Sequence, residues 1–400
     1  MKRHRLAHAL GGLAAATALL TAAACSSSSS SGTSAASGAG ASSAGASGNG
    51  AADAATSDTG GGASAQLKAK VDATLKPPAS IGVQTPLSRK PVAGKFIVGL
   101  LTPLAVAKTE SDAQAAAAKA LGWRYQTIQE GTGPQDPEQA LAAAVALRPD
   151  GIIYYGTPRQ PMAAALQKAQ QAGIPVVATA QVDPLAPPII ANNSNSGPQL
   201  AQLGSGVADY VAEDSGLKAG VALVTLPSYP VLASFDNAFT HELESVCSGC
   251  GVTQLPQQLT DIGTNTPSSI VNAIRRNPSI KYVIFDTGSV ATGVETALQA
   301  AGLSDVVVGG EAPSPTAIQE MKSGTDEVWA ALSIPVSGYA LVDALARYFD
   351  GDSLKPVAAE IPPWQLLTKD NIGSAVLDSQ GNYIGLTGYQ AAFAKLWNLG

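Results

Sequence analysis

The chain has 400 residues, a net charge of −6, 45% apolar side chains and 14% charged ones. This composition is that of a nearly neutral globular protein, long enough for two domains with separate cores. It offers no basic stripe to neutralise phosphates, which argues against a nucleic-acid partner.

The amino terminus opens with a basic cap (Lys2, Arg3, Arg5), followed by an apolar Ala/Leu run from Leu6 to Ala24. A short apolar run behind positive charges reads as a secretory signal and not a lasting membrane span. Small residues (Ala22, Ala23, Ala24) stand immediately before Cys25, as in a bacterial lipoprotein cleavage box, where Cys25 would become the lipidated amino terminus. Ala22 departs from the Leu usual at its position, and the competing reading is an ordinary secreted protein with an incidental Cys25. Residues 25–66 are mostly Ser, Gly and Ala and predict a disordered tether spanning roughly 35 Å for about 40 residues. No later segment approaches the length of a membrane span.

Ordered structure is expected to begin with a helix over Leu67–Leu75 and an extended lead-in to residue 93. Strands are then predicted at Phe96–Leu101, Trp123–Ile128, Gly151–Tyr155 and Ile174–Thr179. Helical patterns separate them at Glu110–Leu121, Pro137–Leu147 and Pro161–Ala172, with Gly122 and Gly173 at left-handed cap positions. The pattern then restarts. Strands at Val221–Thr225, Val252–Gln254, Tyr282–Phe285 and Val306–Gly309 alternate with helices at Phe235–Val246, Ser268–Arg275, Val290–Ala301 and Pro315–Met321. A late helix follows at Gly338–Phe349. Near-continuous apolar strands alternating with helices predict parallel sheets covered on both faces. The fold class is therefore α/β, with two Rossmann-like lobes in tandem and a ligand cleft at the carboxyl ends of their strands.

Of three histidines, His4 and His8 leave with the signal, and His241 remains in a sequence that reads as an exposed helix face. That is too few for a His-based metal site, and neither a G-x-S-x-G elbow nor an H-E-x-x-H pair is present. Catalysis, a metal and a cofactor are accordingly not expected. Cys247 and Cys250 form Cys-Ser-Gly-Cys. A redox motif, half of a zinc site and a small structural disulfide compete here. An exported chain and the turn between a helix and a strand favour the disulfide.

Several stretches together resemble the type I periplasmic solute-binding proteins of ABC importers, in the ribose-binding-like branch. They are Lys95-Phe96-Ile97-Val98-Gly99, Ala120-Leu121-Gly122-Trp123, Arg148-Pro149-Asp150-Gly151-Ile152-Ile153, Ala172-Gly173-Ile174-Pro175-Val176-Val177 and Ala297-Leu298-Gln299-Ala300-Ala301-Gly302. The resemblance implies three crossings between lobes, near Asn193, Ile334 and Trp364–Thr368. Lobe 1 is then 94–192 plus 335–363, lobe 2 is 193–334 plus 364–400, and residues 67–93 form a lead-in. It also implies hinge closure on a ligand. The implied partners are a small-molecule ligand, an importer permease and, through Cys25, the cell membrane, with a monomer expected.

Carried over position by position, the sugar contacts of the family are altered. The loop after the first strand, Thr102 to Ala107, has no aromatic residue. Ala180-Gln181 stands in place of Asp-Arg, Phe235 in place of Arg, and Thr287-Gly288 in place of Asn-Asp. Glu311 keeps an acid, and Ser333 stands where Gln is common. The expected ligand-binding residues are Thr102, Leu104, Tyr155, Thr157, Gln181, Asp183, Asn193, Tyr229, Phe235, Thr287, Glu311 and Ser333. Of the neighbours Tyr154 and Tyr155, only one can face the cleft, because strand residues alternate. Such a set predicts a ligand with fewer hydroxyls than an aldose, with Glu311 or Asp183 meeting a cationic or hydroxyl group. In a register shifted by a residue or two, Asn193, Asn195, Gln181 and Asp286 take that role instead. Functions that compete are import, ligand sensing for a signalling partner, and an exported hydrolase dependent on His241.

Overall fold

The computed structural model describes residues 59–358 and 362–400. The signal, Cys25 and most of the expected tether lie outside them. Helix α1 spans Thr59–Thr74, so the helix starts well before the predicted Leu67 and takes in the end of the expected tether. Among the described residues no helix is long and apolar enough to cross a membrane.

The first lobe is built from β1 (Phe96–Leu101), α2 (Ala105–Ala120), β2 (Arg124–Gln129), α3 (Asp136–Ala146), β3 (Gly151–Tyr155), α4 (Ala163–Gln171), β4 (Val176–Thr179) and β5 (Ile189–Asn192). Its strands are all parallel, in the order β2-β1-β3-β4-β5. Alternation along β3 sends Ile153 into a core beneath α2 and Ile152 and Tyr154 into a core beneath α3 and α4. Strands with both faces buried explain the unbroken apolar runs in the sequence.

The chain then crosses into α5 (Gly197–Asp214), β6 (Gly220–Thr225), α6 (Ala233–Val246), β7 (Gly251–Pro256), α7 (Asn265–Arg276), β8 (Ile280–Phe285), α8 (Val294–Ala300), β9 (Val307–Glu311), α9 (Pro315–Lys322) and β10 (Glu327–Leu332). It returns through α10 (Ile334–Asp350) and α11 (Lys355–Ala358), which pack on the first lobe, and crosses again to β11 (Trp364–Thr368). The second sheet runs β11-β10-β9-β8-β6-β7, parallel except for β11. The crossings expected near Asn193 and Ile334 fall at Asn193–Ser196 and Ser333. The third precedes Trp364, because Trp364–Thr368 is itself a strand of the second lobe.

Helix α5 was not predicted from sequence. Gly197, Pro198, Gly204, Ser205 and Gly206 give it the composition of a loop. Gly204 is required by its packing: a Cβ there would sit 2.4 Å from the Phe235 carbonyl oxygen of α6. The two helices lie in backbone contact, and burial on that face outweighs the poor intrinsic propensity.

The chain ends do not sit where the resemblance placed them. Residues 364–400 were assigned to the second lobe, but α12 (Tyr389–Leu396) and Trp397 pack in the first lobe's core against α10. Trp397 is fully buried, stacked on Tyr339 with ring centroids 5.8 Å apart, and its Nε1 donates to Asp343 Oδ1 at 2.7 Å. The apolar face of α12 needs a partner, and α10 supplies one. The lead-in is likewise shared. Leu67 and Val71 of α1 pack on the second lobe, whereas Ile81, Val83 and Leu87 enter the first. Arg347 ties these pieces together, donating to Asp343 Oδ2 and to the Thr85 carbonyl, each at 2.6 Å.

Cys247 and Cys250 are joined in a disulfide closing the turn from α6 to β7, with Cα atoms 5.4 Å apart. The Cys250 sulfur also accepts the Ala219 amide at 3.1 Å.

Candidate functional site between the lobes

The strand ends of the two lobes meet. Tyr155, at the end of β3, packs edge-on against Tyr229, in the loop after β6, with ring centroids 6.5 Å apart. Gly156 makes the approach possible: its φ is +71°, and a Cβ there would lie 2.6 Å from the Tyr229 ring. The lobes are therefore closed on each other. Two openings flank the contact. One, about 360 Å³, is lined by Ala105, Val106 and Thr109 from one lobe and by Ser289, Ala312 and Ser314 from the other. The second, about 410 Å³, lies between Glu130 and Thr157 and the facing Ser228, Tyr229 and Gln258.

Both lobes carry buried polar groups that the protein itself leaves unused. Glu110, on the second turn of α2, is 1% exposed and its Oε1 has no hydrogen-bond partner. Asn193 and Asn195, at the crossing after β5, are 3% and 2% exposed, with both polar side-chain atoms of each unpartnered. Asp286, just past β8, accepts the Leu226 amide through Oδ2 at 2.6 Å and leaves Oδ1 free. An unpartnered buried polar atom costs about 1–3 kcal/mol, so such a concentration at a lobe interface marks positions where a ligand supplies the missing bonds.

The electrostatics of these groups share one cause. Burial pushes the Glu110 carboxyl up to about 8. It does the same to Glu311, at the end of β9, against the opposing effect of the Thr287 hydroxyl. Asp236 on α6 is raised to about 7 by burial. Asp286 stands well above the carboxylate range, through burial first and then the charges of Asp236 and Glu311. Tyr155 joins the two sides: after burial, the charges of Glu110 from one lobe and Glu311 from the other raise its phenol. Among the described residues no Lys, Arg or His charge acts on Glu110, Asp236, Asp286 or Glu311.

The residues expected from sequence divide into those that reach this interface and those that do not. Tyr155, Tyr229, Thr287 and Glu311 are brought together there, the Thr102 hydroxyl lies beside the Tyr229 phenol, and Asn193 is buried at the crossing after β5. Tyr154 points the other way into the core, as alternation requires. Thr157 lines the rim of one opening. The Gln181 side-chain amide donates to the Thr157 carbonyl, its Oε1 faces the Asp183 amide at 3.4 Å, and its backbone carbonyl accepts from Asn192 Nδ2 at 2.8 Å. Asp183 is not in the cleft. Its carboxylate holds the Arg159 amide at 2.6 Å and lines a groove on the outside of the first lobe. Phe235 is fully buried in the second lobe's core, stacked 6.2 Å from Phe239, because its helix turns that face toward α5. Leu104, from the first lobe, packs into the same cluster and so makes an apolar contact across the lobes. Ser333 donates to the Ile384 carbonyl at 2.7 Å, anchoring the carboxy-terminal segment and committing its one hydroxyl proton.

Phe235 is thus a packing residue of the second lobe, whereas Leu104 adds apolar surface to an interface that also holds carboxyls and amides. Glu110 and Asp236 were missed. Helix α2 starts at Ala105 with no side-chain cap, so its first turn read as loop and Glu110 as a helix start. The available signal was an acid on the buried stripe of an Ala-rich helix, between Ala107 and Gln114.

Two open α/β sheets that meet at their strand ends, with buried, unsatisfied polar groups nearby, define a two-lobed ligand-binding protein. Residues 108–353 match the model of the periplasmic binding protein domain, and the chain belongs to that family. Its members are substrate-binding proteins, not enzymes. Solved structures share the type I fold. An ABC sugar transporter subunit from Rhodobacter sphaeroides 2.4.1 is 24% identical with a TM-score of 0.61, over 70% of this chain and 99% of that one. A 5-methylthioribose transporter solute-binding protein from Thermotoga lettingae TMO is 16% identical with a TM-score of 0.63, over 78% and 99%. A periplasmic ribose ABC transporter protein from Conexibacter woesei DSM 14684 is 18% identical with a TM-score of 0.59, over 71% and 95%. No curated protein matches the sequence.

Proposed function

We propose that this protein captures a small polyhydroxylated molecule between its lobes, outside the cytoplasm, and delivers it to an ABC importer. The observation that carries the reading is the set of buried, unpartnered groups drawn from both lobes: Glu110 and Asn193 on one side, Asp286 on the other. A ligand bonded to both sides stabilises the closed form over the open one, and an importer can read that difference. Structures of the same fold that are described as binding 5-methylthioribose or myo-inositol support a polyol-sized ligand. The protein acts as a monomer held at the membrane through Cys25.

Thermal unfolding of the purified protein across ribose, allose, myo-inositol, hexoses and amino sugars tests ligand capture. A ligand at a hundredfold excess over its dissociation constant adds about 2.7 kcal/mol. Uptake of that ligand by cells lacking the protein tests import; unchanged uptake refutes it. Release of the Cys25→Ala variant into the medium is the outcome expected of lipid anchoring, and retention on the membrane argues against it.

A further inference from the structure

Resting on the solute-binding reading above, we infer that the captured solute presents an uncharged ring with an apolar edge, seated beside Glu130 and donating a hydroxyl to it. Of the two openings between the lobes, this one has an unmet acceptor in its wall. Glu130 follows β2, lines the opening of about 410 Å³, is 4% exposed, and its Oε1 has no hydrogen-bond partner. Among the described residues lining the other opening, none holds a buried side-chain atom without a partner, and Lys108 and Asp112 there pair with each other at 2.5 Å. A buried acceptor left unpaired is costly, and a ligand hydroxyl removes that cost. The volume lies within the roughly 300–1,000 Å³ usual for small-molecule sites.

The walls define the rest of the ring. Pro134, Pro137, Pro158 and Pro161 line the first-lobe side, and Tyr229 and Leu259 face them from the second. Proline rings and the Tyr229 face are stiff and apolar, so they match a CH-rich edge and satisfy few hydroxyls. Thr157 and Gln258 add one polar side chain from each lobe. The loop carrying the first prolines is fixed: Asp136 Oδ2 accepts the Gly133 amide at 2.8 Å, and a Cβ on Gly131 would collide with that same oxygen. Among the described residues lining this opening there is no Lys, Arg or His, so an anionic group placed in it would meet Glu130 without a counter-charge. A 6-deoxy sugar has the required balance, with hydroxyls on one edge and a methyl group on the other.

A series differing at one carbon tests this directly. The sugars 6-deoxyglucose, glucose and glucuronate carry methyl, hydroxymethyl and carboxylate on the same ring, and 6-deoxygalactose, galactose and galacturonate repeat the series. Calorimetric titration at pH 7 is expected to give at least tenfold tighter binding of the methyl sugar than of its hydroxymethyl parent, and no binding of the carboxylate. Glu130→Met keeps the length of the side chain and removes the acceptor. It should weaken binding of the methyl sugar at least tenfold while leaving the ligand-free protein as stable in urea as wild type or more so, an outcome that loss of folding cannot imitate. Deoxy sugars that bind no tighter than their parents, a carboxylate that binds as well as either, or affinity unchanged in Glu130→Met overturns this ring while solute capture stands. Failure of every sugar in the series to bind removes both.

Discussion

Glu110 is the most exacting test of the site because its cost is present before any ligand arrives. Its carboxyl is 1% exposed, Oε1 has no partner, and burial moves its pKa from 4.5 to about 8. A carboxyl raised in the folded state favours folding fully only below its unfolded value, and that advantage is lost as pH rises toward the folded one. Between pH 4 and pH 7 the unfolded chain gives up this proton and the folded chain keeps it. At 1.36 kcal/mol per unit, the shift makes ligand-free protein about 3 kcal/mol less stable at pH 7 than at pH 4 through this group alone. Glu110→Gln removes the titration and keeps the volume. Urea unfolding followed by tryptophan fluorescence at several pH values should therefore show a pH slope in wild type that flattens by about 3 kcal/mol in the variant. Glu311 is raised similarly and leaves part of the slope in place. Parallel profiles for the two proteins would refute the claim that Glu110 is buried without a counter-charge.

Asp343→Ala should be far more damaging, costing about 3–5 kcal/mol in urea unfolding, because it strands the buried Arg347 charge and the Trp397 indole; a loss below about 1 kcal/mol would mean the network is not formed. Gly156→Ala places a methyl into the Tyr229 ring, so ligand affinity should fall at least tenfold and X-ray scattering should report a more extended particle. Unchanged affinity and dimensions would show that the lobes do not close as described. The Cys247–Cys250 disulfide encloses a short loop, so the double serine variant should lose at most about 2 kcal/mol. A larger loss would point to a role beyond closing the turn.

Most of the sheet framework was legible because its signals are local. Phe96–Leu101 and Gly151–Tyr155 are apolar runs bounded by glycine or by the end of a helix, and both strands appear with the predicted limits. Elements whose existence depends on distant partners were not. Strand β10 becomes a strand between β9 and β11, and α5 becomes a helix only against α6. For the candidate site, the positions expected from sequence at Tyr155, Asn193 and Glu311 lie at or just past the ends of β3, β5 and β9. Side chains reached by rotation of a helix were misassigned. Phe235 was placed in the cleft although α6 turns it inward, and Glu110 was read as a helix start although α2 turns it toward Tyr155.

The sequence by itself determined the two-lobed parallel α/β architecture, since the alternation of apolar strands with helical patterns encodes it. Only the tertiary structure decided which polar groups lose water. Carboxyls scattered over α2, α6, β8 and β9 are unremarkable as sequence. In the folded chain they are buried, and burial raises the pKa of each.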